Sequence, residues 1–400
     1  MRVGSGETGL PVDPRGLLQW VRGHREAMMA FLRALVEAES PTDVPSSQAA
    51  VQILLTEALE DLGFRVTRHP GRTTGGYVLA RPRPRVRGRP FQLLMGHTDT
   101  VWPLGTLADM PVRMEDGRLH GPGSFDMKAG VTLMIFALRA LRELSAEPAA
   151  TPVLLLNSDE EIGSPDSGRT VRRLARRACR AFVPEPAFGP EGHLKTARKG
   201  VGSYTVHIQG RAAHAGLDPG GGASAIQELA LVVRKLHALT DPERGTTVNV
   251  GVVEGGSRPN VVAARARADV DVRVVTVEDA KRVEAAILGI EPETPGVTLR
   301  VEVGHAIPPL ERTPRNRRLW TQALQAAESL GIPLGETMVG GASDGSVISQ
   351  YTATLDGMGA VGDGAHAAHE HVLVDATVDR CALLALLLTA PVHPSTAEKG

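Results

Sequence analysis

Histidine and acidic side chains occur at separate points of this sequence, several of them just after a run of apolar residues. His97 and Asp99 follow the apolar run FQLLM, and the adjacent acids Glu160 and Glu161 follow the run VLLL. In an extended segment, side chains two residues apart point the same way, so Asp99 can hold the His97 ring in one orientation. Of two adjacent glutamates, one can bind a metal ion while the other moves protons.

Three further positions would complete a metal site. Asp126 lies in GPGSFDMKAG just before a predicted helix, Glu185 follows the apolar run AFV, and His366 lies in GDGAHAAHEHV. Two histidines and three carboxylates, one of them bridging, suit a pair of zinc ions. Ordinary alternatives exist: Asp126 could be a helix N-cap, and His369 or His371 could take the place of His366.

The apolar pattern predicts the elements that must position these side chains. It predicts helices over residues 17–38, 47–62 and 131–144 and buried strands over residues 91–95, 153–156 and 181–183. Strands that alternate with helices in this way indicate a mixed α/β sheet, mostly parallel, with helices on both faces. Ligands bind at the carboxyl ends of strands in such sheets, and the candidate residues fall there.

A different pattern begins near residue 198. Residues 198–309 follow the order βαββαβ, which is the ferredoxin-like arrangement of a small domain. The first pattern resumes afterwards. We therefore predict a discontinuous larger domain, residues 15–197 and 310–392, with a smaller domain inserted into it.

Composition limits the classes of protein that this chain can be. With 400 residues, 42% hydrophobic residues and a net charge of -1, it fits a soluble protein of two or three domains, with no bias toward nucleic acid or membrane. The first sixteen residues contain no apolar core of a signal peptide. Cys179 and Cys381 are interpreted as two free thiols, which fit a reducing compartment. We therefore expect a cytoplasmic protein.

The motifs together resemble the M20 family of zinc peptidases, and most closely its carboxypeptidase branch. The resemblance extends from about residue 20 to residue 390 and rests on GHTDTV, GPGSFDMKAG, NSDEEIGS, VPEP, GRAAHAG, GGASD and GAHAAHEHV. It implies a hydrolase with two zinc ions that cleaves a peptide or N-acyl amino acid bond beside a free carboxylate, as a carboxypeptidase or aminoacylase does. A biosynthetic deacylase of acetylornithine or succinyl-diaminopimelate remains an alternative, as does a non-catalytic homologue that binds such compounds.

The resemblance also implies a role for each candidate residue. One zinc ion would be bound by His97, Asp126 and Glu185, and the other by Asp126, Glu161 and His366, with cobalt or manganese as substitutes. Glu160 would be the general base, and Asp99 would orient His97. The resemblance further implies a cis peptide bond between Asp126 and Met127.

For the inserted domain, the resemblance implies a lid that forms a homodimer. His214 and Asn260 would then reach the scissile carbonyl of the partner's substrate, and Arg273 would bind the substrate carboxylate. Alternatively, His214 and Asn260 are ordinary loop or turn residues, and Arg273 is only a charged residue at the end of a strand. The expected partners are a small-molecule substrate and a second copy of the chain, without nucleic acid or membrane.

Overall fold

The computed structural model describes residues 12–84 and 88–392. They form two compact units. The first contains the described residues up to Thr196, Arg312–Thr337 and those from Val347 onward; the second contains Ala197–Glu311 and Met338–Ser346.

The elements are numbered in chain order. The helices are α1 (Pro14–Gly23), α2 (Arg25–Glu37), α3 (Gln48–Asp61), α4 (Ala129–Glu143), α5 (Gly168–Ala175), α6 (Ala225–His237), α7 (Val277–Leu288), α8 (Pro314–Leu330), α9 (Asp344–Ser349) and α10 (Val374–Thr389). The strands are β1 (Phe64–His69), β2 (Tyr77–Pro82), β3 (Phe91–His97), β4 (Arg113–Glu115), β5 (Arg118–His120), β6 (Thr151–Asn157), β7 (Arg180–Val183), β8 (Leu194–Arg198), β9 (Gly200–Gln209), β10 (Thr247–Gly255), β11 (Arg265–Val274), β12 (Thr298–Ile307), β13 (Glu336–Val339), β14 (Thr354–Asp356), β15 (Gly362–Asp363) and β16 (His371–Leu373).

The first unit is built on an eight-stranded sheet in the order β1-β2-β6-β3-β7-β14-β8-β13. The central strands β6, β3, β7 and β14 pair in parallel, whereas β2 runs antiparallel to β1 and β6, and β8 runs antiparallel to β14. Interior parallel strands are covered on both faces, and this explains their continuous apolar sequences. The predicted mixed α/β sheet is confirmed.

Successive residues of β3 show how the two faces are covered. Leu94 packs into the cluster that contains the buried faces of α4 and α10. Leu93 and Met95 pack into a second cluster with Val171 and Leu174 of α5. Because strand side chains alternate between faces, one short apolar run anchors helices on both sides of the sheet.

The second unit has the order β9-α6-β10-β11-α7-β12, as predicted. Its four strands form a separate antiparallel sheet in the order β10-β11-β9-β12. Alternate residues of β9 and β11 are buried against apolar residues of α6 and α7, including Val232 and Val283. The two outer strands of this sheet are β10 and β12.

The prediction of one helix over residues 17–38 is wrong, because the helix is interrupted at His24. The His24 ring stacks on the Trp20 ring at 3.8 Å, and its Nδ1 lies 2.8 Å from the Trp20 carbonyl oxygen. This side chain therefore satisfies a carbonyl at the end of α1, and α2 starts at the next residue.

Two features of the first unit were not predicted. β1 and β2 pair antiparallel and extend the sheet beyond β6. A small antiparallel sheet joins β15, β16, β5 and β4. Among the residues described here, no helix has the length and apolar character needed to cross a membrane.

Candidate metal centre

Three neighbouring parallel strands deliver most of the candidate ligands. His97 is the last residue of β3 and lies in register with Asn157, the last residue of β6. Glu161 lies in the short helical turn Glu160–Ile162 after β6, and Glu185 lies two residues beyond β7. The order β6-β3-β7 therefore gathers these side chains at one edge of the sheet.

Asp126 lies between two pairs of candidate ligands. Its Oδ1 is 3.2 Å from His97 Nε2, and the same nitrogen is 3.6 Å from Glu185 Oε1. Its Oδ2 is 3.6 Å from His366 Nε2, which lies 3.3 Å from Glu161 Oε2. Each oxygen of one carboxylate thus faces one histidine and one further carboxylate.

These separations fit metal coordination. Zinc binds histidine nitrogen and carboxylate oxygen at about 2.0–2.2 Å, so two ligand atoms of a tetrahedral site lie roughly 3.3–3.6 Å apart. The four contacts around Asp126 span 3.2–3.6 Å. Ligand atoms of His97, Asp126 and Glu161 also lie within 4.8 Å of one another. The residues therefore fit two metal ions that share Asp126.

Asp99 holds the His97 ring, mainly through its backbone. His97 Nδ1 lies 3.0 Å from the Asp99 carbonyl oxygen and 3.5 Å from Asp99 Oδ1. A carbonyl can only accept, so Nδ1 carries a proton. Nε2 lies on the side of Asp126, and in the neutral ring its lone pair is available to a metal ion. Asp99 Oδ2 also accepts hydrogen bonds from Thr42 Oγ1 and the Glu161 backbone N–H. Asp99 therefore orients both His97 and the backbone of Glu161.

The charges favour a cation between these groups. Burial alone would lower the pKa of His97, but hydrogen bonds to Asp126 and Asp99 raise this pKa well above its usual range. The hydrogen bond between His366 and Glu161 raises the pKa of His366 to about 9. Burial would raise the pKa of Asp126, but the hydrogen bond with His97 holds it below its usual value. The carboxylates thus stabilise positive charge at both histidines.

The structure separates the three clustered histidines. His366 approaches Asp126 and Glu161, whereas His369 Nε2 lies 3.8 Å from Asp363 and the His371 ring lies beside His120. The backbone of His366 is left-handed, with φ of 61°. Such a conformation is uncommon in a residue other than glycine and persists only where the surroundings hold it.

The turn that carries Asp126 contains the predicted cis bond to Met127. Glu370 was not predicted from the sequence. Its buried carboxylate accepts the backbone N–H of Asp126 at 3.0 Å. Burial raises the pKa of Glu370 to about 7. Its position four residues after His366, in the same motif, was the available signal.

The three remaining candidates lie in the second unit. The Ala215 N–H donates to the Asn260 carbonyl oxygen at 3.0 Å, so the exposed residues His214 and Asn260 lie on adjacent segments. Arg273 is at the end of β11, where its guanidinium forms a two-pronged ion pair with Asp271 at 2.9 and 3.1 Å.

Comparison with known proteins gives a family and a fold. The profile of peptidase family M20/M25/M40 matches residues 93–390. Carboxypeptidase G2 of Pseudomonas sp. (strain RS-16) is 28% identical over 382 residues, which cover 93% of this chain and 91% of that protein. Aminopeptidase PepT of Bacillus cereus has a similar structure, with a TM-score of 0.75 and 24% identity over 91% of this chain and 98% of that one. The YxeP protein of Bacillus subtilis, a dinuclear metal-binding peptidase of the M20 family, gives a TM-score of 0.68 and 15% identity over 92% of this chain and 98% of that one.

Replacement of His366 tests the separation of the histidines. We expect His366→Ala to reduce bound metal from about two ions to about one per chain, because one metal position loses the imidazole that lies beside Asp126 and Glu161. His369→Ala is the matched control from the same loop and should keep both ions. Metal content after gel filtration, measured by plasma mass spectrometry, checks this; equal losses in both variants would contradict the assignment.

Proposed function

The chain belongs to peptidase family M20/M25/M40, and from that premise we propose that it is a hydrolase with two zinc ions that cleaves an amide bond beside a free carboxylate. Its substrates would be short peptides or N-acyl amino acids, as for a carboxypeptidase or aminoacylase. Cobalt or manganese would substitute for zinc. The relative named carboxypeptidase G2 supports the substrate class.

The observation that carries the proposal is the position of Asp126. Its two oxygens face two separate pairs, His97 with Glu185 and His366 with Glu161. We propose that these five residues hold the two ions. Divalent ions so placed supply a Lewis acid for the scissile carbonyl and a water of lowered pKa.

We assign proton transfer to Glu160. It is partly exposed and directly precedes Glu161 in the turn Glu160–Ile162. A carboxylate beside the ligand, but outside the ligand set, can take a proton from the attacking water. The same group would then return that proton to the leaving amine.

The His214 ring supports a role as a hydrogen-bond donor to the reacting carbonyl. Its Nδ1 accepts the backbone N–H groups of Gly216 and Leu217, each at 3.1 Å. In the neutral ring the proton must therefore lie on Nε2, which then serves as a donor. A developing oxyanion requires such a donor. Asn260, on the adjacent segment, would assist.

We assign the substrate carboxylate to Arg273. The guanidinium already pairs with Asp271 through Nε and Nη2, and Nη1 lies 3.4 Å from the Gly340 carbonyl oxygen. Arginine has five N–H donors, so an incoming carboxylate would share the guanidinium with Asp271 or displace it. Asp271 keeps the cation in one orientation until the substrate binds.

We further propose that the protein is a cytoplasmic homodimer that pairs through its second unit. β10 and β12 are the outer strands of that sheet, and Val252, Val253 and Val303 on them are exposed apolar residues. Exposed strand edges of this kind are suited to pairing with a second chain. Free Cys179 and Cys381 fit a reducing compartment.

A substrate screen tests the reaction. N-acyl amino acids and dipeptides with a free terminal carboxylate should be hydrolysed. Their C-terminal amides should be poor substrates because they lack the carboxylate that Arg273 would bind. A chelator should abolish hydrolysis, and added zinc should restore it. Full turnover by metal-free protein would refute the metal mechanism. Preferred cleavage of acetylornithine or succinyl-diaminopimelate would indicate the biosynthetic deacylase instead.

Replacement of the general base separates metal binding from chemistry. Glu160→Gln should keep both metal ions and lose roughly 10²–10⁴-fold in kcat, the usual contribution of general acid–base catalysis. Glu161→Gln should instead lose metal. If Glu160→Gln loses metal and keeps its rate per bound ion, the roles of the two glutamates are reversed.

Mixed dimers test whether His214 acts on the partner subunit. His214→Ala and Glu160→Gln homodimers should each be nearly inactive, because oxyanion donors and general bases each contribute about 10²-fold or more to kcat. A mixed dimer would combine the intact Glu160 of one chain with the intact His214 of the other, and should regain activity at one site. No recovery after verified subunit exchange would mean that each site is built within one chain.

A further inference from the structure

The Glu370 side chain accepts four hydrogen bonds, although the residue is only 1% exposed. Its Oε1 accepts from the backbone N–H groups of Phe125 at 2.9 Å and Asp126 at 3.0 Å. Its Oε2 accepts from the Gly123 N–H at 2.9 Å and from Trp102 Nε1 at 2.8 Å. Each oxygen of the carboxylate therefore accepts two hydrogen bonds from the protein.

The four donors belong to segments that carry candidate metal ligands. Trp102 lies three residues after Asp99, in the segment that follows His97. The other three donors are the backbone N–H groups of the turn that contains Asp126. Glu370 itself is four residues from His366. One buried carboxylate thus joins the segments of His97, Asp126 and His366.

A buried charge is costly unless it is well hydrogen-bonded, and charge-assisted hydrogen bonds are short and directional. Four such bonds fix where the turn of Asp126 lies relative to the other two segments. We propose that Glu370 is a positioning residue that sets the separation of the two metal positions, with Trp102 as its partner. This inference rests on the proposed metal pair.

Glu370→Gln is a sharp test because of the chemistry of the amide. Glutamine offers one acceptor oxygen and one NH₂ group, which only donates. Whichever way the amide turns, its NH₂ group faces two of the four donors. Half of the contacts are therefore lost while the size of the side chain is kept.

The measurement is zinc affinity, obtained by titrating metal-stripped protein against a competing chelator. We expect Glu370→Gln to bind zinc about 10- to 100-fold more weakly, which is the usual effect of losing a residue that orients metal ligands. Circular dichroism and thermal unfolding of the metal-stripped variant establish that it is folded. A folded variant that binds both ions with unchanged affinity would overturn the proposal.

Glu228 provides a matched control in the second unit. It is also fully buried, and its carboxylate accepts the backbone N–H groups of Glu293 and Thr294. Glu228→Gln should change thermal stability and leave zinc affinity unchanged. If both variants weaken zinc binding equally, the effect is general destabilisation and the proposal fails.

Trp102→Phe supplies a second route if Glu370→Gln does not fold. Removal of the indole donor should weaken zinc binding by about threefold to tenfold, a smaller loss than for Glu370→Gln because one hydrogen bond is removed instead of two. In a double-mutant cycle the combined loss should be smaller than the product of the single losses, because the neutral glutamine either loses the Trp102 hydrogen bond or keeps only a weaker one. Independent effects would overturn the pairing.

The wild-type titration separates this inference from the proposed function. If the wild-type chain binds no pair of zinc ions, both proposals fail. If it binds two and the Glu370 and Trp102 variants match it, only the positioning role fails.

Discussion

Repulsion between carboxylates is the constraint that organises this molecule. Ligand atoms of Asp126 and Glu161 lie within 4.8 Å of each other and of His97, in surroundings that are largely buried. Two like charges at that distance repel by about 3–4 kcal/mol at an effective dielectric constant of 20. Protons on the histidines offset part of this repulsion between carboxylates, as the raised pKa values of His97 and His366 indicate. Divalent cations would offset far more, so the arrangement makes physical sense as a metal centre.

The parallel sheet makes this crowding achievable. Neighbouring strands lie about 4.8 Å apart, and three adjacent parallel strands end at one edge. β6, β3 and β7 therefore bring Glu161, His97 and Glu185 to one edge of the sheet without any long loop. Asp126 and His366 come from turns instead, and these turns need separate support. Buried hydrogen bonds to Glu370 provide it for Asp126.

The sequence predicted those parts of the structure that depend on simple periodicity. Apolar runs that end shortly before His97, Glu161 and Glu185 located the sheet edge. Strands that are buried on both faces have continuous apolar sequences, which are easy to recognise. The interruption of the helix at His24 was not predicted because it depends on a single contact between the His24 ring and the Trp20 carbonyl oxygen. The choice of His366 over its neighbours could not be made from spacing alone.

Hydrogen bonds to the backbone explain why Glu370 was not predicted from the sequence. Three of the four donors to Glu370 are backbone N–H groups, which every residue except proline possesses, so they leave no trace in the side-chain pattern. The ion pair between Arg273 and Asp271 has a visible sequence signal, because the two residues are two positions apart and lie on the same face of a strand. Long-range contacts that involve the backbone are thus the part of the site that required the structure.

The proposed metal pair depends on Asp126 as the carboxylate that both ions would share. X-ray absorption at the zinc edge of the fully loaded protein tests this most directly. We predict a first shell of nitrogen and oxygen at about 2.0–2.2 Å and a zinc–zinc distance of about 3.5–4 Å. That zinc–zinc distance should disappear in Asp126→Asn. A fully loaded protein without a zinc–zinc distance in this range would contradict the shared role of Asp126.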